Sequence, residues 1–481
     1  MSAADVDGDG DMDVLTASAD DTTVRWYENL GGPTISFAEH VLATDRRRSN
    51  FVLGADINGD GYTDILSSSN SDSMIAYYEN SGTSPPTFTE RVVTIDANGP
   101  LVDPEGFSSH VRQVAVADLD GDGDLDISAA SVDDDRVAWY ENLGGPVPAW
   151  QPRVLTNTLD GARAVHNADL DGDGDVDVIA GAWFGDSIRW YDNDGASSPT
   201  FTERTLMSFD NPPGPIADIA QIWRVFTADL DGDNDLDVLA MRRKFGVEWY
   251  ENDGGVIPSF DRHVIVPGKY TPTGSMAYIG KSVFAADLDQ DGDIDAMSAS
   301  VGDDKIAWYE NLGGDPLEFN DHVLTVDPNI GENALPDTIN GIADGARSVF
   351  AVDLDGDGDT DILWGSKYND TIGWYENQLN VLLLGDMDGD GDVDFDDSDA
   401  FELALNWPQD YENQFGVRPE ARGDTNGDGD FDFDDIAGFI TIVNPPLTAQ
   451  VQSIPEPSIY VLSAMALLGF FGRGWPAGKR Q

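Results

Sequence analysis

Nine residues, Asp353-Leu354-Asp355-Gly356-Asp357-Gly358-Asp359-Thr360-Asp361, constrain this chain more than any others, because the same alternation of acids returns along the sequence to give seven copies. The copies begin at Asp5, Asp56, Asp118, Asp169, Asp229, Asp287 and Asp353, and each runs into a short apolar stretch such as Ile362-Leu363-Trp364, which reads as a strand. Acids packed this densely repel one another, so the loop is stable only with a cation among them. Calcium fits best. It is a hard ion that takes about 6 to 8 oxygen ligands, and alternate carboxylates on a tight, glycine-bent loop can surround it. A solvated acidic turn is the plainer alternative, but solubility alone gives no reason for seven copies in register.

By analogy with the EF-hand loop, side chains at positions 1, 3, 5 and 9 and the backbone carbonyl of position 7 are the expected ligands. The first two sites are then Asp5, Asp7, Asp9, Asp11 and Asp13, and Asp56, Asn58, Asp60, Tyr62 and Asp64. The third and fourth are Asp118, Asp120, Asp122, Asp124 and Asp126, and Asp169, Asp171, Asp173, Asp175 and Asp177. The last three are Asp229, Asp231, Asp233, Asp235 and Asp237; Asp287, Asp289, Asp291, Asp293 and Asp295; and Asp353, Asp355, Asp357, Asp359 and Asp361. Departures are few. Tyr62 stands where only a carbonyl is needed, Asn234 replaces the second glycine, and Gln290 replaces the first. Asn tolerates the left-handed conformation best after Gly.

The loops belong to a longer repeat. Each is followed by an aromatic strand ending in Asn, seen in Trp26-Tyr27-Glu28-Asn29 and Trp139-Tyr140-Glu141-Asn142, then by a fourth strand such as Phe37-Ala38-Glu39-His40-Val41-Leu42. A four-stranded unit cannot bury both faces alone, so neighbours must stack, and a period of about 50 to 65 residues points to propeller blades. The doubled aromatics suit this, since adjacent strand positions face opposite neighbours. The net charge of -64 excludes a nucleic-acid partner, while the absence of cysteine leaves the compartment open.

This combination resembles the FG-GAP/VCBS repeats of integrin-alpha-like β-propellers. The resemblance implies a mainly β, seven-bladed propeller of four-stranded blades over residues 1–378, with calcium in the loop between the first and second strands of each blade. Met1 to Ala4 lead straight into the first loop, so the first blade is expected to lack its opening strand, and a leader directing export is expected to be missing with it.

Beyond residue 378 the period breaks. Asp386, Asp388, Asp390, Asp392 and Asp397, then Asp424, Asn426, Asp428, Asp430 and Asp435, lie in two twelve-residue loops followed by helix-like stretches. Residues 384–444 resemble a type I dockerin, a small α domain of paired EF-hand-like loops, which implies two further calcium ions and a cohesin-like partner. Residues 445–457 read as a linker. The Pro-Glu-Pro, apolar stretch and basic end that follow resemble a PEP-CTERM sorting signal over 458–481. That resemblance implies a C-terminal apolar helix, export to the cell surface, and membrane association only through this segment.

Catalysis finds little to work with, because nearly every clustered acid is claimed by a loop and no nucleophile motif or phosphate-cradling glycine loop is present. His40, His263 and His322 share one repeat position and read as structural. The expectation is a calcium-stabilised binding scaffold for a protein or polysaccharide, not an enzyme. A polysaccharide-active, lyase-like enzyme and a passive surface or matrix protein are the alternatives. The family's geometry implies that the turns between second and third strands lie opposite the calcium loops, on a face carrying Trp183, Phe184, Arg242, Arg243, Lys244, Phe245, Lys367 and Tyr368. Cations beside aromatics there suit an anionic sugar or carboxylate; the plainer alternative is that Arg242 to Lys244 merely balance nearby acids.

Overall fold

The structure is a computed structural model that describes residues 1–32, 35–95, 110–185, 187–208, 221–243, 245–267, 280–314, 316–325, 343, 345–377 and 452–455. These form seven four-stranded antiparallel sheets, each a meander in chain order. Blade 1 is β1 to β4 (Ser2–Ala4, Asp13–Ala17, Val24–Asn29, Phe37–Ala43) and blade 2 is β5 to β8 (Ser49–Ala55, Asp64–Ser69, Met74–Asn80, Phe88–Ile95). Blade 3 is β9 to β12 (Val111–Ala117, Asp126–Ser131, Arg136–Asn142, Trp150–Thr156), and blade 4 is β13 to β16 (Ala162–Ala168, Asp177–Ala182, Ser187–Asn193, Phe201–Ser208). Blade 5 is β17 to β20 (Ile222–Ala228, Asp237–Arg242, Gly246–Asn252, Phe260–Pro267), and blade 6 is β21 to β24 (Gly280–Ala286, Asp295–Ser300, Lys305–Asn311, Phe319–Val323). Blade 7 is β25 to β28 (Ala346–Val352, Asp361–Ser366, Thr371–Tyr375, Gln452–Pro455).

The first strands of successive blades touch around a closed ring, β25 meeting β1, so they line a central channel. Second strands are buried along their whole length in blades 2 to 6, whereas fourth strands such as β16 and β20 are largely uncovered. The core therefore lies between blades. Trp139 packs with Val165, Val178 and Tyr191 of blade 4, while its neighbour Tyr140 packs with Leu66, Ile75 and Tyr77 of blade 2. The same division separates Trp26 from Tyr27, and Trp249 from Tyr250. Each buried aromatic removes about 150 to 250 Å² from water, worth roughly 4 to 6 kcal/mol before entropic costs. One such cluster closes the ring, with Leu354, Leu363 and Trp374 of blade 7 against Val14 and Tyr27 of blade 1.

Two segments differ from expectation. The first blade has an opening strand, short but paired: Ser2, Ala3 and Ala4 face Leu15, Val14 and Asp13, and the strand is held between β2 and the neighbouring β5. Residues 452–455, within the stretch read as linker, pair with β27 as the outer strand of blade 7 and cover what would be a bare sheet edge. No helix occurs among the described residues. The dockerin-like loops at Asp386 to Asp397 and Asp424 to Asp435, and the sorting segment 458–481, lie outside them.

Candidate functional site

Every acidic loop joins the first strand of its blade to the second, and its carboxylates divide into two kinds. Position 9 is buried in all seven blades. Asp13 accepts hydrogen bonds from the backbone N–H of Val6 (3.0 Å) and of Asn29 (2.7 Å), so it pins the loop's entry to the end of the third strand. Asp64, Asp126, Asp177, Asp237, Asp295 and Asp361 repeat this pair of bonds. Burial pushes these carboxyls up, Asp295 to about 6, Asp13, Asp64, Asp126 and Asp177 to about 7, and Asp237 and Asp361 to about 8.

Positions 1, 3 and 5 form the second kind. Asp118 accepts the backbone N–H groups of Gly121 (2.8 Å) and Gly123 (2.9 Å), which curls the loop over its own carboxylate. The curl needs two left-handed residues, Gly121 at φ 73° and Gly123 at φ 95°. Asn234 (φ 75°) and Gln290 (φ 59°) adopt the same conformation, and the Gln290 side chain donates to the carbonyl of Gly358 in the next blade's loop (2.9 Å). Position 7 turns away: Asp124 and Tyr62 lie over Gly144 and Gly82, in the turn after the third strand, leaving the backbone carbonyl as the group position 7 can offer.

Oxygens from three acids lie within 4.8 Å of one another in at least five of these loops, among them Asp5, Asp7 and Asp13, and Asp229, Asp231 and Asp233. The position-3 carboxyls Asp7, Asp120, Asp171, Asp231, Asp289 and Asp355 are all pushed up, first by burial and then by the acids beside them. One oxygen each of Asp7, Asp171 and Asp287 is buried and accepts no hydrogen bond. Crowded, half-desolvated carboxylates with idle lone pairs are the donor set that a hard divalent cation fits.

Sequence reasoning missed a second use of these loops. The Asn that ends the third strand in blades 1 to 6, and lies two residues past it in blade 7, donates its side-chain amide to the carbonyl of position 8 in its own loop and to that of position 2 in the loop of the preceding blade. Asn193 bonds Val176 (2.9 Å) and Leu119 (2.8 Å), and Asn29 bonds Leu354 (2.9 Å), carrying the series across the seam between blades 7 and 1. Asn80, Asn142, Asn252, Asn311 and Asn377 complete a ring of seven inter-blade hydrogen bonds. The recurrence of Asn at that point in all seven repeats was the available signal. The three repeat-position histidines are structural: His40, His263 and His322 stack on Trp26, Trp249 and Trp308, and each pairs with the Glu two residues after its Trp.

The opposite end of the channel has other chemistry. Of the residues expected there, Arg242 is buried and bonded to Glu248 (2.9 Å), which Arg262 also engages, so its charge balances an acid within its own blade. Arg243 bonds Gln221 (2.7 Å), Phe245 lies under the Arg242 guanidinium (4.3 Å), and Lys244 is outside the described residues. Trp183 meets Phe184, and Lys367 lies over Tyr368 (4.8 Å); both Phe184 and Tyr368 are exposed. The cations on the first strands escaped the sequence reading: Arg112, Arg163, Arg224, Lys281 and Arg347, which with Lys367 line a cavity of about 350 Å³ at the channel mouth. Aligning the repeats on the residue before each acidic loop puts Arg112, Arg163, Lys281 and Arg347 at one position, five residues upstream.

Seven four-stranded blades around a channel define the class as a seven-bladed β-propeller. The chain belongs to the FG-GAP repeat proteins: the family model described as FG-GAP-like repeat matches residues 5–67, 56–129, 118–180 and 169–240, and that described as FG-GAP repeat matches 345–378, so the matches span blades 1 to 4, the inner strands of blade 5, and the first three strands of blade 7. Among solved structures, a lectin from Agrocybe aegerita, described as recognising non-reducing terminal N-acetylglucosamine, is 19% identical over 76% of this chain and 86% of that one, with a TM-score of 0.50. A protein from Lactobacillus plantarum is 11% identical over 75% and 89%, also with a TM-score of 0.50. At these identities the likeness shows the fold alone. No match was found among curated protein sequences.

Proposed function

We propose that this chain is a calcium-stabilised recognition scaffold, exported to the cell surface or beyond, that binds a protein or polysaccharide through the face opposite its acidic loops. The observation that carries the reading is the set of buried, unbonded carboxylate oxygens at Asp7, Asp171 and Asp287, which face other acids at the same loop. Bound calcium would offset that repulsion and lock the loop that joins each pair of inner strands. A lectin on the same architecture supports glycan recognition as one form of the activity. On this reading the protein is not an enzyme, the paired loops near Asp386 and Asp424 bind two more calcium ions and dock a cohesin-like partner, and the tail 458–481 serves sorting.

Chelation is the direct test. A site that binds only the folded state contributes about 2.7 kcal/mol at a hundredfold excess over its Kd, so removing calcium from several blades should lower the melting temperature by many degrees. An unchanged melting temperature in excess chelator, or a native mass without bound calcium, overturns the metal assignment. A glycan array and pull-down with the calcium-loaded protein then test recognition, and the absence of any saturable ligand leaves a passive matrix component.

A further inference from the structure

The first strands do not run smoothly into the channel. Six of them carry a β-bulge at the same place, where the register against the second strand shifts by one residue. The extra residue is Asn50 in blade 2, Arg112 in blade 3, Arg163 in blade 4, Trp223 in blade 5, Lys281 in blade 6 and Arg347 in blade 7. A bulge leaves its extra residue out of the ladder and re-aims its side chain. Here all six line one cavity, at the end of the channel away from the acidic loops. Arg224, next to Trp223, adds a fifth cation to the four on bulges.

These cations meet aromatics and one another where carboxylates would be expected. Arg163, only 8% exposed, lies between Trp183 (4.2 Å) and Trp223 (3.6 Å), and the Lys281 Nζ sits 3.1 Å from the Trp223 ring centroid. Arg224 lies over Phe51 (4.9 Å). None of Arg112, Arg163, Arg224, Lys281 and Arg347 makes a salt bridge or side-chain hydrogen bond among the described residues, and the Nε atoms of Arg112, Arg163 and Arg224 are buried without an acceptor. The acids lining the cavity are Asp20 and Asp370, both exposed and both on the flank formed by blades 1 and 7. Burial, with neighbouring cations adding to it, pulls Lys281 down to about 5 and lowers Arg112 and Arg163; Arg224 falls to about 10 through burial. In a chain of net charge -64, four guanidinium groups and a lysine that burial holds towards its neutral form, gathered with no carboxylate bonded to any of them among the described residues, are an arrangement suited to an added anion.

We propose that the channel mouth binds the acidic end of an oligosaccharide, its carboxylate or sulfate groups held by Arg163, Lys281 and Arg347. This names the ligand class for the recognition face proposed above and rests on that reading. The cavity volume of about 350 Å³ sits at the low end for small-ligand sites, roughly 300 to 1,000 Å³, which suits a terminal unit more than a long segment. Charge sets the same limit. A long polyanion must lie across an acidic outer surface, whereas a chain end enters a recess within about one Debye length, roughly 8 Å, of several cations.

Isothermal titration of the calcium-loaded full chain with trigalacturonate, a sulfated disaccharide, a neutral trisaccharide and sodium sulfate at matched ionic strength is the test. One of the two acidic saccharides should bind with a stoichiometry of one per chain and weaken with salt, and the neutral one should not bind. Arg163→Gln, Lys281→Met and Arg347→Gln should each weaken it about ten- to a hundredfold while calcium stoichiometry stays the same. Each variant removes a buried or half-buried basic group that has no carboxylate partner among the described residues, so the ligand-free melting temperature should hold or rise; should one fail to fold, the other two still decide. Equal binding of the neutral sugar, undiminished binding in the folded variants, or a response to sodium sulfate alone overturns the proposal. If an array finds a different ligand whose binding ignores these substitutions, the channel inference falls and the scaffold reading stands. If the chain binds nothing on any array, both fall.

Discussion

Asn193 donates to two carbonyls, one of them in the preceding blade, and accepts the backbone N–H of Gly195 through its own oxygen (3.2 Å). All of this happens at a buried position, where an unpaired polar group costs about 1 to 3 kcal/mol. Asn193→Ala is therefore expected to destabilise the propeller by about 2 to 4 kcal/mol in chemical denaturation. Asn193→Asp should be worse, since a carboxylate keeps the shape but turns donors into acceptors facing two carbonyls. An aspartate variant as stable as wild type would mean that the amide bonds do not hold the blades together. Gln290 shows the same economy of contact from a different start. It occupies a left-handed position better suited to glycine and links its loop to the loop of blade 7.

Within one acidic loop, the proposed ligand and the staple are separable. Asp171 has a buried oxygen with no partner, whereas both oxygens of Asp177 accept backbone N–H groups, from Leu170 (3.0 Å) and Asn193 (2.8 Å). Asp171→Asn should lower calcium affinity at blade 4 and leave the fold intact when calcium is in excess. Asp177→Ala should lower stability by about 2 to 5 kcal/mol even in saturating calcium, because two buried donors lose their acceptor. Equal rescue of both by calcium would make position 9 a ligand alone. The distinction also marks how far the sequence could be read. The acidic alternation and the Trp-Tyr pairs carry their meaning locally, since a nine-residue loop must hold its own charge and adjacent strand residues must face opposite sides; blades, core and stacking direction follow from them. The Asn ring joins residues 74 positions apart in Asn193 and Leu119 and 325 apart in Asn29 and Leu354, so it becomes visible only once the ring is closed. The channel cations were hidden by the bulges. An extra residue breaks the period of two on which strand reading depends, and Arg224 sits one position off the others because the bulge in blade 5 holds Trp223. On the face of turns between second and third strands, Arg242 was legible as a cation but not as the buried partner of Glu248.

Acids crowd one end of the channel, and a cluster of basic side chains lines the cavity at the other. Every acidic loop lies at the ends of first strands, and the basic side chains without a carboxylate partner among the described residues lie at their starts. Without calcium the seven loops repel themselves and one another, on a chain whose net charge of -64 already opposes compaction. Repulsion between exposed charges is screened by salt, with a Debye length of about 10 Å at 0.1 M and about 3 Å at 1 M. On the proposed reading calcium acts differently, because it would enter the loops and offset charge where the carboxylates are half-desolvated. In excess chelator the melting temperature should therefore climb steeply as sodium chloride rises from about 0.05 M to about 0.5 M. In saturating calcium the same titration should be much flatter, since the closest repulsions are already offset. Differential scanning calorimetry under both conditions measures the two slopes. Equal slopes would show that the loops contribute nothing beyond the diffuse surface charge, and that the ring is held by its aromatic core and Asn bonds alone.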